Sequence, residues 1–344
     1  PLMFALAAQL QHRGLIMTET QLSDYTVQGN IEIIDVTRAR VLESFSASPQ
    51  DGIRVIDGHM VPSVNSGLPT VIVCEDMISP AVEKLSRKYE AAGYLYCLVQ
   101  LQGADALISP VLGISSSVPY DQLKHSLQVN AQYALSGVKL LDNVMGAASV
   151  TPRSVVRSLI WLAIQRMKTS EPAERTVLRF KNGLFEGAHY VMTGAKTTKA
   201  QPLNLDAQAK KIDLSFNPVN DAGRAKSTRE TWETYRHLVS DVTGVVSSLK
   251  RLVPEDEELL VHVYGAGHNW ALNHGSSEEF TRSLRGRSSG KGTTDLGARV
   301  SGLAEAIERH SAISDGTEAR LHTSYKDLRE RALDPRTLTQ FSQD

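Results

Sequence analysis

The chain alternates between strand-like and helix-like patterns of hydrophobic residues over positions 25–150. Short apolar runs predict strands at 31–36, 53–57, 70–76 and 94–101, and helical spacing predicts helices at 39–45 and 79–92. Apolar strands separated by helices are typical of a mostly parallel sheet with helices on its faces. The pattern therefore predicts an α/β (α+β) fold class.

The predicted helix at 79–92 has sequence signals at both ends. Ser79 is a helix-capping residue, Pro80 suits the first helical position, and Gly93 suits the position after the last turn. A further apolar pattern over 120–165 predicts helices that pack through apolar contacts. Its core candidates are Val155, Ile160, Leu162 and Ile164.

A polar stripe near the end of the chain is a candidate binding site rather than part of a core. Ser301, Glu305 and Glu308 have i, i+4, i+7 spacing, which places them within roughly 60° of one another on a helix. An adjacent apolar stripe is predicted to be the buried flank, namely Val300, Leu303, Ala304 and Ile307. Such a helix could place carboxylates at the border of a cleft, and a hard divalent cation prefers oxygen ligands. The alternative is a solvated helix face with no ligand.

The residues before this helix, Gly290-Lys291-Gly292, are predicted to form a turn whose flexible backbone and cation suit a polyphosphate. This is not an ordinary phosphate loop, because the stretch 286–291 has too few residues between its glycines. Gly292 also stands where a Ser or Thr would have to hold the metal. The sequence contains no GxGxxG pattern, so the common dinucleotide-binding fold has no support.

These motifs resemble the YcaO family, whose pattern is a GKG turn followed by SxxxExxER; here Arg309 completes the match. Segments 230–252, 262–269 and 334–344 look like the azoline-forming cyclodehydratases that modify ribosomal peptides. The resemblance implies ATP and Mg²⁺ as cofactors. It implies that Glu305 and Glu308 hold the metal and that Lys291 and Ser301 contact the nucleotide.

The same resemblance supplies two further nucleotide-binding candidates. The family has a basic residue followed seven positions later by a hydroxyl at a helix start, and Arg224 and Thr231 match that spacing. Lys226 could take the place of Arg224, and Thr231 could be an ordinary surface residue. No catalytic residue is assigned.

The domain organisation that the resemblance implies has three parts. Residues 1–20 are expected to be the remnant of a winged-helix module that binds leader peptides, or else a capping helix of the next domain. Residues 21–212 are expected to form an inactive activating-enzyme-like α/β domain with a helical linker. Residues 213–344 are expected to be the first part of a YcaO ATP-binding α/β domain. The rest of the nucleotide site then follows, so the given chain is expected to be a fragment that is incomplete for activity.

Zinc is not expected, although many relatives bind it through two Cys-x-x-Cys pairs. The corresponding places here, 119–122 and 193–199, contain no cysteine. The chain has only Cys74 and Cys97, both in apolar strand-like runs, which predicts buried free thiols. His268 and His274 are predicted to be turn or core residues rather than metal ligands.

Composition narrows the partners. The chain has 344 residues and is 41% hydrophobic, which fits two or three domains. Its formal net charge is −1, which argues against nucleic-acid or anionic-membrane partners. No apolar run reaches the roughly 18 residues of a membrane span and no signal peptide is visible, so a cytoplasmic location is expected.

The implied activity is ATP-dependent cyclodehydration of Cys, Ser or Thr residues in a ribosomally made precursor peptide. Phosphorylation of the backbone amide oxygen would turn it into a leaving group and leave a thiazoline or oxazoline. The precursor peptide is the expected partner; a dehydrogenase, other maturation enzymes and a second copy of the chain remain open. The alternatives are a non-catalytic peptide-docking scaffold and a YcaO enzyme that forms thioamides or amidines.

Overall fold

The architecture is that of a computed structural model of the chain. It describes residues 31–37, 53–57, 68–103, 105–113, 118–130, 153–169, 175–191, 224–253, 260–268, 287–312, 321–328, 331–334 and 337. The strands are β1 (Ile31–Asp35), β2 (Ile53–Asp57), β3 (Thr70–Cys74), β4 (Tyr96–Gln102), β5 (Asp105–Ile108), β6 (Thr176–Lys181), β7 (Leu184–Tyr190), β8 (Ser248–Arg251), β9 (His262–Gly267) and β10 (Arg287–Gly292). The α-helices are α1 (Pro80–Ala91), α2 (Tyr120–Asn130), α3 (Arg153–Thr169), α4 (Thr228–Tyr235), α5 (Asp295–Ser311) and α6 (Tyr325–Leu328).

The first seven strands form one mixed sheet in the order β2-β1-β3-β4-β5-β6-β7. Strands β1 to β4 are parallel, as the alternation of strands and helices predicted. Strands β5 to β7 extend the sheet in antiparallel directions. The predicted α/β class is confirmed, and the antiparallel half is an addition to it.

The predicted elements before residue 110 are confirmed wherever the structure describes them. Helix α1 begins at Pro80 after Ser79, whose side chain accepts the N–H of Val82, and Gly93 follows its end with a φ of 76°. Positive φ is a conformation that glycine adopts without strain, so this residue closes the helix as predicted. The helices predicted at 39–45 and at the start of the chain lie outside the described residues.

Helices cover both faces of this sheet. Ile160, Leu162 and Ile164 of α3 are buried against one face, which confirms the predicted apolar packing. Helices α1 and α2 contribute to the core on the other face. Cys74 and Cys97 are buried and free, as predicted.

A second, antiparallel sheet has the order β10-β9-β8. Helix α5 packs on this sheet, and α4 packs against α5. Their shared apolar cluster contains Val246, Ala266, Leu303 and Ala306. This sheet and its two helices position the candidate site.

By compactness the chain divides into two units. The first comprises 1–195 and 218–313 and contains both sheets; the second comprises 196–217 and 314–344 and contains α6. The boundaries at 20 and 212 stay predictions. In the part of the chain that the structure describes, no helix is long and apolar enough to cross a membrane.

Candidate functional site

Gly290, Lys291 and Gly292 end strand β10 and do not form the predicted turn. Lys291 is paired with Val263 across the antiparallel ladder to β9. The chain bends only afterwards, at residues 293–294. The prediction of a turn is wrong because these glycines serve close packing within a strand.

Gly290 and Gly302 allow β10 to lie directly against helix α5. A Cβ atom added to Gly290 would overlap the carbonyl oxygen of Ala298 and the backbone nitrogen of Gly302. No side chain fits between two backbones that approach so closely. The first glycine of the motif therefore sets the distance between strand and helix.

Ser301, Glu305 and Glu308 lie on α5, so the predicted helix is confirmed. Thr294 begins the helix, since its side chain accepts the N–H of Gly297 at 3.1 Å. With about 100° per residue, the three polar side chains share one face of α5, beside the flank that packs on the sheet.

The buried flank of α5 differs from the prediction at one position. Ala304 is exposed, whereas the flank consists of Ala298, Val300, Gly302, Leu303 and Ala306. Positions two apart in an α-helix are rotated by about 200° about its axis. Ala304 therefore points away from the sheet, because Gly302 contacts the sheet. Ile307 is half-buried, as expected for the margin of this flank.

Glu305 is held at the edge of the second sheet. Its Oε1 lies 2.7 Å from Nη2 of Arg309, one turn later, and its Oε2 accepts the backbone N–H of Ser289 at 3.3 Å. Ser301 and Glu308 are exposed beside it. The Glu305 carboxylate is thus oriented, whereas the Glu308 carboxylate and the Ser301 hydroxyl are open to solvent.

Lys291 is exposed on β10, but its side chain leaves the opposite face of the sheet from α5. This follows from Gly290, whose missing side chain would point into the helix, because successive strand residues point to opposite faces. The described backbone therefore does not direct Lys291 and Glu305 to the same face.

Arg224 and Thr231 lie before and inside the first turns of α4. Arg224 is exposed, as is Lys226. Thr231 donates its hydroxyl to the carbonyl oxygen of Ser227 at 2.9 Å. The predicted hydroxyl near a helix start is present, and its proton is used within the helix.

His268 is buried at the end of β9, and its Nε2 lies 2.9 Å from Oγ of Ser288. Burial and the nearby Arg309 hold the pKa of His268 below its ordinary value. The prediction of a core histidine is confirmed for this residue; His274 lies outside the described residues.

The stripe has the donor chemistry that Mg²⁺ prefers, with two carboxylates and one hydroxyl on one accessible helix face. Within the described ranges, no group of three or more His, Cys, Asp or Glu side chains is arranged to hold a metal ion. A metal at Glu305 and Glu308 would therefore need ligands from phosphate or water. The absence of zinc stays a prediction.

A polar network at the start of α5 was not predicted. The hydroxyl of Tyr264 donates to Oδ1 of Asp295 at 2.6 Å and accepts from Nε of Arg299 at 3.0 Å. Arg299 and Asp295 also form an ion pair at 2.8 Å. The i, i+4 spacing of the pair was visible in the sequence, but its contact with Tyr264 depends on the packing of α5 over β9.

Residues 289–344 match the model of a family described as YcaO cyclodehydratase, ATP and Mg²⁺ binding. This segment contains Lys291 and the whole stripe of α5. The resemblance to YcaO cyclodehydratases found in the motifs is therefore confirmed. No curated protein matches the sequence.

Two solved structures show the fold. A heterocyclase in complex with substrate and cofactor is 21% identical over 92% of this chain and 44% of its own, with a TM-score of 0.67. The heterocyclase TruD is 15% identical over 94% of this chain and 42% of its own, with a TM-score of 0.52. The chain thus has the fold of a heterocyclase and spans less than half the length of either structure.

Proposed function

We propose that the protein containing this chain uses ATP to cyclodehydrate Cys, Ser or Thr residues of a ribosomally made precursor peptide. The observation that carries the proposal is the exposed face of α5, where Ser301, Glu305 and Glu308 lie inside the segment with the YcaO signature. The heterocyclase fold of most of the chain supports it.

The roles of Glu305, Glu308, Arg309 and Ser301 follow from their places on α5, and those of the other candidates follow from the family resemblance. Glu305 and Glu308 would hold Mg²⁺, which neutralises phosphate charge when it is bound. Arg309 and the N–H of Ser289 keep the Glu305 carboxylate in one orientation. Ser301 offers a hydroxyl to the nucleotide, and Arg224, Thr231 and Lys291 are the further nucleotide-binding candidates.

The proposed reaction balances as a loss of water from the peptide. The side-chain sulfur or oxygen attacks the preceding backbone carbonyl carbon and loses its proton. The carbonyl oxygen receives the γ-phosphoryl group of ATP and leaves as phosphate, while the amide nitrogen gives up its proton and forms the C=N bond. The products are ADP, phosphate and the azoline ring, and positioning with electrostatic stabilisation supplies the catalysis.

The test measures Mg²⁺-dependent ATP binding and peptide-stimulated phosphate release by the full-length protein. Glu305→Gln and Glu308→Gln are each expected to weaken Mg·ATP binding by about tenfold or more, because each removes a metal ligand. Glu186→Gln is the matched control, since it neutralises an exposed carboxylate in β7 away from the stripe. Equal binding by wild type and both stripe variants would overturn the site.

Mass spectrometry of the peptide separates the proposed activity from its rivals. Loss of one water per modified Cys, Ser or Thr is the expected result. A docking scaffold would bind peptide without releasing phosphate, and a thioamide-forming or amidine-forming enzyme would alter the peptide mass without cyclising a side chain. Either outcome would replace the proposal.

A further inference from the structure

A cleft of about 770 Å³ lies within the first compact unit. There the open end of the β6–β7 hairpin, opposite its turn, faces α4, β8 and β9. Its wall combines three basic and three aromatic side chains, Arg236, Arg251, Arg299, Tyr190, Trp232 and Tyr264. Among the described residues that line it, none is acidic. The cleft therefore presents guanidinium groups beside aromatic rings.

Arg299 is fixed between two of these rings. Its guanidinium lies 5.3 Å from the ring centre of Tyr264 and 6.0 Å from that of Trp232. Asp295 and the Tyr264 hydroxyl hold its Nε. A guanidinium held in this way keeps a defined plane, and planar guanidinium groups recognise carboxylates through paired hydrogen bonds.

The other two arginines reach the cleft from neighbouring elements. Arg251 of β8 is the cross-strand partner of Tyr264, and its Nη2 lies 3.2 Å from Nδ1 of His262. Arg236 follows α4 and pairs with Glu233 through an exposed ion pair at 2.9 Å. Because exposed pairs contribute little free energy, a ligand carboxylate can compete for Arg236.

Histidines complete the wall next to β7. Nδ1 of His189 lies 2.8 Å from Oγ of Ser240, and the ring of His237 packs edge-on against Tyr190 with centres 4.7 Å apart. Burial lowers the pKa of both His189 and His237. Near neutral pH, the positive charge of the cleft therefore comes from its arginines.

This cleft is separate from the acidic stripe. Glu308 comes nine positions after Arg299, so the two side chains leave α5 about 180° apart. Among the described residues that line the cleft, there is no glycine and none from the first three positions of an α-helix. Polyphosphates are commonly bound by the backbone N–H groups of glycine-rich loops and helix N-termini. The side chains of this cleft therefore suit carboxylates better than a nucleotide.

We propose that this cleft binds an acidic segment of the peptide substrate, with carboxylates on the three arginines and apolar side chains on the aromatic rings. The proposal rests on the proposed function, because it identifies the ligand as part of the precursor peptide. Binding here raises the local concentration of the residues to be modified without engaging the acidic stripe.

The test is a fluorescence-anisotropy titration of the full chain with a labelled ten-residue peptide of alternating Glu and Gly that contains one Phe. A second peptide has Gln in place of every Glu. The Glu peptide is expected to bind at least about tenfold more tightly, as charge-assisted hydrogen bonds contribute more than neutral ones. Equal binding of the two peptides would overturn the proposal.

Two variants locate the binding. Arg236→Gln is expected to weaken binding of the Glu peptide about tenfold, since it removes a guanidinium that lines the cleft. Arg229→Gln is the matched control, because Arg229 is an exposed arginine of α4, the helix just before Arg236, and does not line the cleft. Equal loss in both variants would show non-specific charge attraction and overturn the proposal.

A competition arm identifies other ligands. Displacement of the Glu peptide by ATP without Mg²⁺, abolished by Arg236→Gln, would show that the cleft holds a nucleotide and would overturn the peptide assignment. Failure of the cleft proposal is distinguishable from failure of the proposed function, which depends on Glu305 and Glu308. If the cleft binds no peptide but Glu305→Gln and Glu308→Gln lose Mg·ATP binding, the acidic stripe is still supported.

Discussion

Gly290 in β10 and Gly302 in α5 meet backbone to backbone, and this contact joins the strand to the helix that carries the acidic stripe. A side chain at position 290 would overlap main-chain atoms, which cannot rotate away as a side chain can. The contact therefore determines how closely α5 approaches the edge of the second sheet.

Gly290→Ala is expected to destabilise the folded chain by about 2–4 kcal/mol, because β10 and α5 must separate to accept the methyl group. Urea unfolding measures the change. Gly187→Ala is the control, since the nearest atom to its added Cβ is Nε2 of His189 at 3.8 Å, an ordinary contact. That control should change the stability by less than about 1 kcal/mol. Equal effects of the two substitutions would contradict the close contact.

The two cysteines are expected to resist thiol reagents in the folded chain. Cys74 and Cys97 are 1% and 0% exposed, and burial raises the pKa of the Cys74 thiol well above its ordinary value. The Cys74 thiolate is therefore rare, and both thiols are inaccessible. Titration with a disulfide reagent at pH 8 should show no fast reaction until urea is added, after which both thiols react. Rapid reaction of native protein would contradict this burial.

The sequence predicted the parallel half of the first sheet because each strand there is a short apolar run bounded by helix signals. It missed the β6–β7 hairpin, although Asn182-Gly183 is a strong hairpin signal. Both residues have positive φ, at 50° and 75°. The flanking strand β7 is only half-buried, so its hydrophobic pattern is weak and only the turn residues indicated the hairpin.

Only the part of the candidate site that depends on local spacing was predicted from the sequence. The spacing of Ser301, Glu305 and Glu308 is local, and helical periodicity alone determines their shared face. The turn assigned to Gly290–Gly292 was wrong because a glycine that serves flexibility and one that serves close packing look the same in a sequence. The cleft around Arg299 brings together residues from 176 to 299, and spacing patterns do not predict contacts between residues so far apart in the sequence.

The hydroxyl of Tyr264 is expected to couple energetically to Arg299. Tyr264→Phe removes a group that donates to Asp295 and accepts from Arg299, leaving the ion pair of α5 in place. A double-mutant cycle with Arg299→Gln should give a coupling free energy of about 1 kcal/mol by urea unfolding. The pair Tyr264→Phe and Arg229→Gln should be additive, and additivity in both cycles would contradict the network.

The stability of the fold is expected to fall as pH decreases from about 7 to about 5.5, and His268 should account for part of the loss. Burial, together with Arg309 and His310, lowers the pKa of His268 below the value of an unfolded histidine. In this pH range the unfolded chain therefore binds more protons than the folded chain, and the free energy of unfolding rises with pH. His268→Gln removes the titrating group but keeps a side chain that can hydrogen-bond Ser288. The change in melting temperature between the two pH values should be smaller in this variant than in wild type, whatever its effect at pH 7. An unchanged pH dependence in His268→Gln would show that His268 titrates alike in the folded and unfolded chain, and the account of its buried contact with Ser288 would then fail.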